Sequence, residues 1–276
     1  MKTFKKAALG VAALALSTAV TPITAAPTLE YQPDNYPLVT LDPFGAFDWN
    51  SAGSAVTEGF VPDGSTVFTT EFWADAVNIQ DPGGSNFSGT FLEASGLTPP
   101  TGAEFTIQAF INETATLSGP TATFFATGGS WTIWYEGEAD ADLIAGTGIT
   151  DGIEVMSGSI LPGFAGTFTA LPVGGGTGVF NFLATVDSTN NAFINPNLLD
   201  SEAVSTIQFG TSTTGWTFPT GRPSGGPLAG EGILVFQADA NQSFQPEIIP
   251  EPGVLALLSL GLLGVAGFKH RRRHQG

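Results

Sequence analysis

Apolar and polar positions follow three different rhythms along this chain. At the start, Lys2, Lys5 and Lys6 precede an apolar run from Ala7 to Val20, closed by Thr-Pro-Ile-Thr-Ala-Ala-Pro27. A short cationic segment, an apolar stretch and small residues at the end have the form of a secretory signal peptide. Cleavage is expected after Ala25 or Ala26, and residues 1–26 are assigned to it. At the other end, Gly253 to Phe268 carries no charge and runs directly into Lys269, His270 and Arg271–Arg273. As a helix these residues span about 24 Å, slightly short of the roughly 30 Å hydrocarbon core. Flanking arginines can snorkel to cover the difference.

Between the ends the rhythm is that of strands. Ser65–Trp73, Ala103–Asn112, Ala122–Thr127, Ser130–Glu136, Ile153–Ile160, Gly166–Leu171, Gly178–Asp187, Val204–Gly210 and Gly232–Ala238 are apolar or alternating runs. In Gly178–Asp187 the residues Phe180, Phe182, Ala184 and Val186 share one face. Turn formers separate the runs, among them Asp81-Pro-Gly-Gly84 and Gly174-Gly-Gly176. Only Asp140–Ile144 hints at a helical period. The pattern predicts an all-β chain, a β-sandwich or jelly-roll-like domain over residues 27–245. A tether at 246–252, a transmembrane helix at 253–268 and a basic cytoplasmic tail at 269–276 complete the expected layout. Pro219–Pro227 reads as a loop with the character of a hinge.

Charge changes this picture sharply. The chain has 8 basic and 25 acidic residues. All 25 acids but only one base, Arg222, lie between Ala26 and Glu251, a formal charge of −24. Phosphate backbones bind through Lys and Arg, so nucleic acid is excluded as a partner. Cations, neutral or cationic sugars, and polymers bridged by metal ions remain. There is no cysteine, and both histidines, His270 and His274, sit in the tail. Thiol and histidine-based hydrolytic machinery is therefore absent from the central domain, and no enzymatic activity is expected.

The acids group most densely in Glu136, Glu138, Asp140 and Asp142. Were the chain to stay extended here, the four carboxylates would line one face and repel one another unless a cation such as Ca²⁺ intervened. On the strand just before them, Trp131, Ile133 and Tyr135 point one way and Thr132, Trp134 and Glu136 the other. Trp134 is thereby expected to be exposed beside acids, placed for a sugar ring. Paired carboxylates are also the chemistry of glycosidases, but nothing singles out a pair.

Pro250-Glu251-Pro252, the apolar stretch Gly253–Phe268 and the cluster Arg271–Arg273 resemble the PEP-CTERM sorting signal of Gram-negative bacteria. The resemblance implies processing by a membrane-embedded exosortase after export and removal of the leader by signal peptidase. It places the acidic domain outward, in a membrane-anchored precursor that passes transiently through the inner membrane and then reaches the cell surface or extracellular matrix. Gly128–Tyr135, Asp140–Gly148, Gly178–Val186, Phe193–Pro196 and Asp239–Phe244 are further similar to flocculation-associated PEP-CTERM proteins. That family implies attachment to extracellular polysaccharide in floc or biofilm formation. The alternatives are a secreted carboxylate-dependent glycan hydrolase and a passive surface-coat protein.

Overall fold

Long strands that alternate large apolar residues with Thr, Ser and Asn are stable only with one dry face and one wet face. In the computed structural model, which describes residues 26–92, 102–171, 176–210 and 216–245, the chain answers that demand with strands and no helix among the described residues. The strands are β1 (Thr28–Tyr31), β2 (Val39–Leu41), β3 (Ala46–Trp49), β4 (Ser54–Glu58), β5 (Phe68–Gln80), β6 (Glu104–Ser118) and β7 (Thr121–Glu136). They continue as β8 (Ile153–Ser159), β9 (Ala165–Ala170), β10 (Gly176–Thr185), β11 (Ser188–Thr189), β12 (Ile194–Asn195), β13 (Glu202–Gly210) and β14 (Ile233–Gln245). All described residues belong to one unit, Ala25–Glu247.

The main sheet closes on itself. β3 and β4 lie end to end between β14 and β5, and β8 and β9 lie end to end against β7. Read as two broken strands, they make a ring in chain order, β3/β4–β5–β6–β7–β8/β9–β10–β13–β14, and β14 pairs back onto β3 and β4. Where β8 passes into β9, the bridge Ile160↔Ala184 and the bond from Leu161 N to Leu183 O (2.9 Å) tie the break to β10. Every pairing in the ring is antiparallel and joins sequence neighbours or the two ends, which is an up-and-down meander. Closure leaves no long unpaired edge.

β7 changes partner halfway, from β9 over Thr121–Phe125 to β8 over Ser130–Tyr135. Gly128 and Gly129 sit at the switch with φ of 147° and 144°. A Cβ on Gly129 would lie 2.1 Å from the Phe110 carbonyl oxygen. Two glycines and the register shift at Asn112/Glu113 are what let the sheet coil here.

The inward positions fill the ring. Trp49, Phe72, Phe105, Trp131, Phe180 and Ile133 are all fully buried, and eight strands enclose about the volume their own side chains occupy. Among the described residues, one cavity of about 10 Å³ is lined by Trp49, Trp131, Phe182 and Gln242, and another of about 10 Å³ by Glu113, Phe124, Phe168 and Phe236. Each is at the threshold for a single water. β1, β2 and β12 form a small second sheet that covers one end. Its Tyr31 packs edge-on to Phe105 at 5.0 Å and against Tyr135 at 5.5 Å. Both ends of the described unit emerge beside this cap, since Phe44 N donates to Pro27 O and Phe244 N to Gly45 O.

The all-β expectation holds, and the sheet shows how the layers are joined. Opposite arcs of the ring face each other across a dry core as sandwich layers do. Hydrogen bonding nevertheless runs all the way round, and the next-neighbour order is that of a meander, without jelly-roll crossings. Strand β5 runs on to Gln80, beyond the expected end at Trp73. The weak helical period at Asp140–Ile144 is a turn, held by Asp142 Oδ1 accepting from Ile144 N and Ala145 N at 2.9 Å. The expected signal peptide at 1–26 apart from Ala26, the tether at 246–252, the apolar helix at 253–268 and the basic tail at 269–276 lie outside the described residues.

Candidate functional site

Two loops lie over one outer arc of the ring. The first, residues 137–152, leaves β7 and folds back; the second, 216–232, joins the region after β13 to β14. They knit together through Thr220 N and Gly221 N, which both donate to Ile144 O (2.7 and 3.1 Å). Gly146, at φ 68°, passes so close to the second loop that a Cβ would lie 2.5 Å from Arg222 Cα. Under them Val56, Trp73, Ala141, Leu143 and Ile149 form a second apolar cluster. Trp73 Nε1 donates to Leu143 O at 3.0 Å.

The first loop creates a carboxylate centre. Glu104 and Glu136 are direct cross-strand partners on β6 and β7. The chain turns immediately after Glu136, bringing Asp140 back over them, and carboxylate oxygens of Glu104, Glu136 and Asp140 lie within 4.8 Å of one another. Glu104 is only 1% exposed, and accepts from Asp140 N (3.2 Å) and Ala141 N (3.1 Å). Burial pushes the Glu104 carboxyl up to about 8, assisted by the charges of Asp140 and Glu136 and opposed by those backbone donors. Burial, then the Asp140 charge, then Asp151, raise Glu136 to about 7. Like charges at this spacing are relieved by a shared proton or by a hard cation with oxygen ligands, of which Ca²⁺ is the usual biological choice. Glu104, Glu136 and Asp140 are the residues that could hold one.

The expected row of four carboxylates is therefore rearranged. Glu136 and Asp140 come together, while Glu138 points into solvent and Asp142 is engaged in its own turn. The extended conformation ends at Glu136 because Gly137 has to pass Asp34, whose Oδ1 stands 2.6 Å from where a Cβ would be. Glu104, the most deeply buried member, is absent from the sequence-derived set. Its place opposite Glu136 exists only once the strand register is known.

Trp134 faces outward as the alternation requires, between Thr106 and Glu154 on the neighbouring strands. It is half-buried, not exposed. Trp49, Trp73 and Trp131 are fully buried. The sorting-motif residues Pro250, Glu251 and Pro252, and the basic residues Lys269, Arg271, Arg272 and Arg273, lie outside the described residues.

Other ionisable side chains are buried or clamped outside this centre, among them Arg222, Glu71 and Glu113. Arg222, the sole cation between the ends, reaches Glu58 at 2.6 Å and Glu71 at 3.7 Å. Ser224 N donates to Glu71 Oε1 at 3.0 Å. The supposed hinge at Pro219–Pro227 is thus a clamp. A lone arginine among 25 acids was the available signal. Glu113 projects into the ring interior, 3% exposed, and accepts from Thr70 Oγ1 at 3.0 Å. Burial raises it to about 7. Its parity with Phe105, Ile107 and Ile111 marks it as an inward carboxylate, but the strand was ended at Asn112.

Residues 249–273 match the family model of the PEP-CTERM protein-sorting motif. No curated protein and no solved structure matches the chain.

Proposed function

We propose that this PEP-CTERM protein, an exported, membrane-anchored precursor sorted by exosortase, serves as a non-enzymatic component of the cell surface or extracellular matrix that associates with exopolysaccharide in floc or biofilm formation. The observation that carries the reading is the way cationic charge is used. Outside the two ends the chain has one cation, and that arginine is committed to Glu58 and Glu71. The described outer surface therefore offers carboxylates, amides and hydroxyls. Such a surface suits neutral sugars directly and anionic polymers through divalent cations. The filled ring interior argues against a small-molecule cargo.

The resemblance of the central segments to flocculation-associated PEP-CTERM proteins implies the same role. The hydrolase alternative would need two carboxylates flanking an open sugar site. Glu104 lies beneath backbone donors of the first loop, which argues against its reaching a glycosidic bond. The passive-coat alternative makes a different prediction, regular self-assembly without sugar retention.

The test is settling of a deletion strain complemented with the wild-type gene or with Pro250, Glu251 and Pro252 all replaced by Ala. Restoration of aggregation by the wild type alone, and dispersal by chelator, is the expected result. Unchanged aggregation on deletion would overturn the role in flocs.

A further inference from the structure

One arc of the ring is not overlaid by either loop. There the outward positions of five adjacent strands fall into a single register row, Asn181 on β10, Thr206 on β13, Asn241 on β14, Asp48 on β3 and Asn78 on β5. Every member carries an amide, a hydroxyl or a carboxylate. Asn181 and Asn241 are exposed, and the other three are half-buried. The side chains are already held in place by one another. Thr206 Oγ1 donates to Asn181 Oδ1 at 2.8 Å, and Asn78 Nδ2 to Asp48 Oδ2 at 3.0 Å. Asn241 Nδ2 points toward Gln80 Oε1 at 3.4 Å. Beside the row, Asp239 shares the face with Asp48, and burial followed by that neighbouring charge raises its carboxyl.

We infer that this row is a binding face for a neutral polysaccharide chain lying across the strands. The inference rests on the exopolysaccharide-associating role proposed above and gives it a location. Three physical points select the occupant. Strands are spaced ~4.8 Å apart, so a chain crossing them meets one polar side chain at about each sugar ring. The row contains no cation and two carboxylates stand on the face, which disfavours an anionic polymer and suits uncharged hydroxyls. Amides and carboxylates can bond adjacent hydroxyls of a ring in pairs. A protein partner would be expected to find aromatic and aliphatic anchors, and none stands in the row. Because the side chains are mutually fixed, less side-chain freedom is lost on binding than for solvated Asn and Thr.

The test is affinity electrophoresis of the full-length chain in detergent, through gels containing dextran, hydroxyethylcellulose, galactomannan, or alginate with Ca²⁺. Two forms are compared with the wild type. One carries Asn181→Ala, Thr206→Ala and Asn241→Ala. The other carries Thr123→Ala and Thr167→Ala on the β7–β9 arc and serves as the control. Retardation by at least one neutral polymer, weakened about tenfold or more in the row variant and unchanged in the control, is expected from the loss of several hydrogen bonds. Circular dichroism and melting temperature check that the row variant is folded. Equal retardation of wild type and row variant would overturn the row while leaving a polysaccharide-binding role intact. Retardation only by alginate with Ca²⁺ would overturn the row and favour cation bridging. No retardation by any polysaccharide would overturn both.

Discussion

The two outer arcs of the ring are built from the same kind of strand and have opposite fates. Over β4, β5 and β6 the outward residues include Val56, Trp73, Glu71 and Glu104, all at most 2% exposed. Over β10, β13, β14 and β3 they include Asn181, Thr206, Asn241 and Asp48, exposed or half-buried. The first arc is overlaid by loops 137–152 and 216–232; those loops do not overlie the polar row. The loops supply the layer that the first arc lacks. An apolar outward residue such as Trp73 needs a partner layer, and a layer brought down over it also buries whatever charge stands nearby. Glu71 and Glu104 are such acids, and the chain satisfies them with Arg222, Ser224 and the N–H groups of Asp140 and Ala141. The polar row, whose members are exposed or half-buried among the described residues, needs no such cover.

Removing what holds the loops is expected to have the largest effect. Trp73→Ala deletes the centre of the second apolar cluster and its bond to Leu143 O, and is expected to destabilise the chain by about 3–5 kcal/mol, read from urea unfolding. Arg222→Met leaves Glu71 buried without its cation and is expected to cost about 3 kcal/mol. The same variant should be cleaved faster within 216–232 under limited proteolysis, while sites near the polar row keep their wild-type rate.

Proton linkage offers an intermediate effect. Glu104, Glu113 and Glu136 hold their protons up to about 8, 7 and 7 in the folded chain, against 4.5 for an ordinary glutamate. Below that ordinary value all three are protonated in folded and unfolded chains alike, and no stability is at stake. As pH rises from there, the unfolded chain loses protons first, so stability falls until the folded carboxyls ionise near pH 7–8. The expected result is a melting temperature that drops from pH 5 to pH 8. Glu113→Gln keeps the bond from Thr70 and should flatten part of that slope; an unchanged slope would mean that Glu113 ionises normally inside the ring.

The smallest effect is expected on the uncovered arc. Asn241→Ala or Thr206→Ala should change stability by about 0.5 kcal/mol or less. A larger loss would show that the row is structural.

Much of this was legible before any coordinates. Alternation marked most of the ring strands, and placed Trp131, Ile133 and Tyr135 inward against Trp134 outward, because side-chain direction in a strand depends only on local parity. The sorting signal was readable for a similar reason, since its three elements are contiguous in sequence. The carboxylate centre was half legible: Glu136 and Asp140 were in the expected set, but Glu104 was missing and Glu138 and Asp142 did not belong. The polar row was not legible at all, because its five members are scattered from Asp48 to Asn241.

Local sequence was therefore enough for the all-β class, the parity of the strand residues, the acidic charge, and the export and sorting signal. Only the tertiary structure decided that the meander closes into a ring, that two loops cover one arc, and which distant residues share a register. Parity is a property of neighbours along the chain, whereas register and coverage are set by pairing between strands far apart in it. No local pattern encodes those pairings until the sheet has closed.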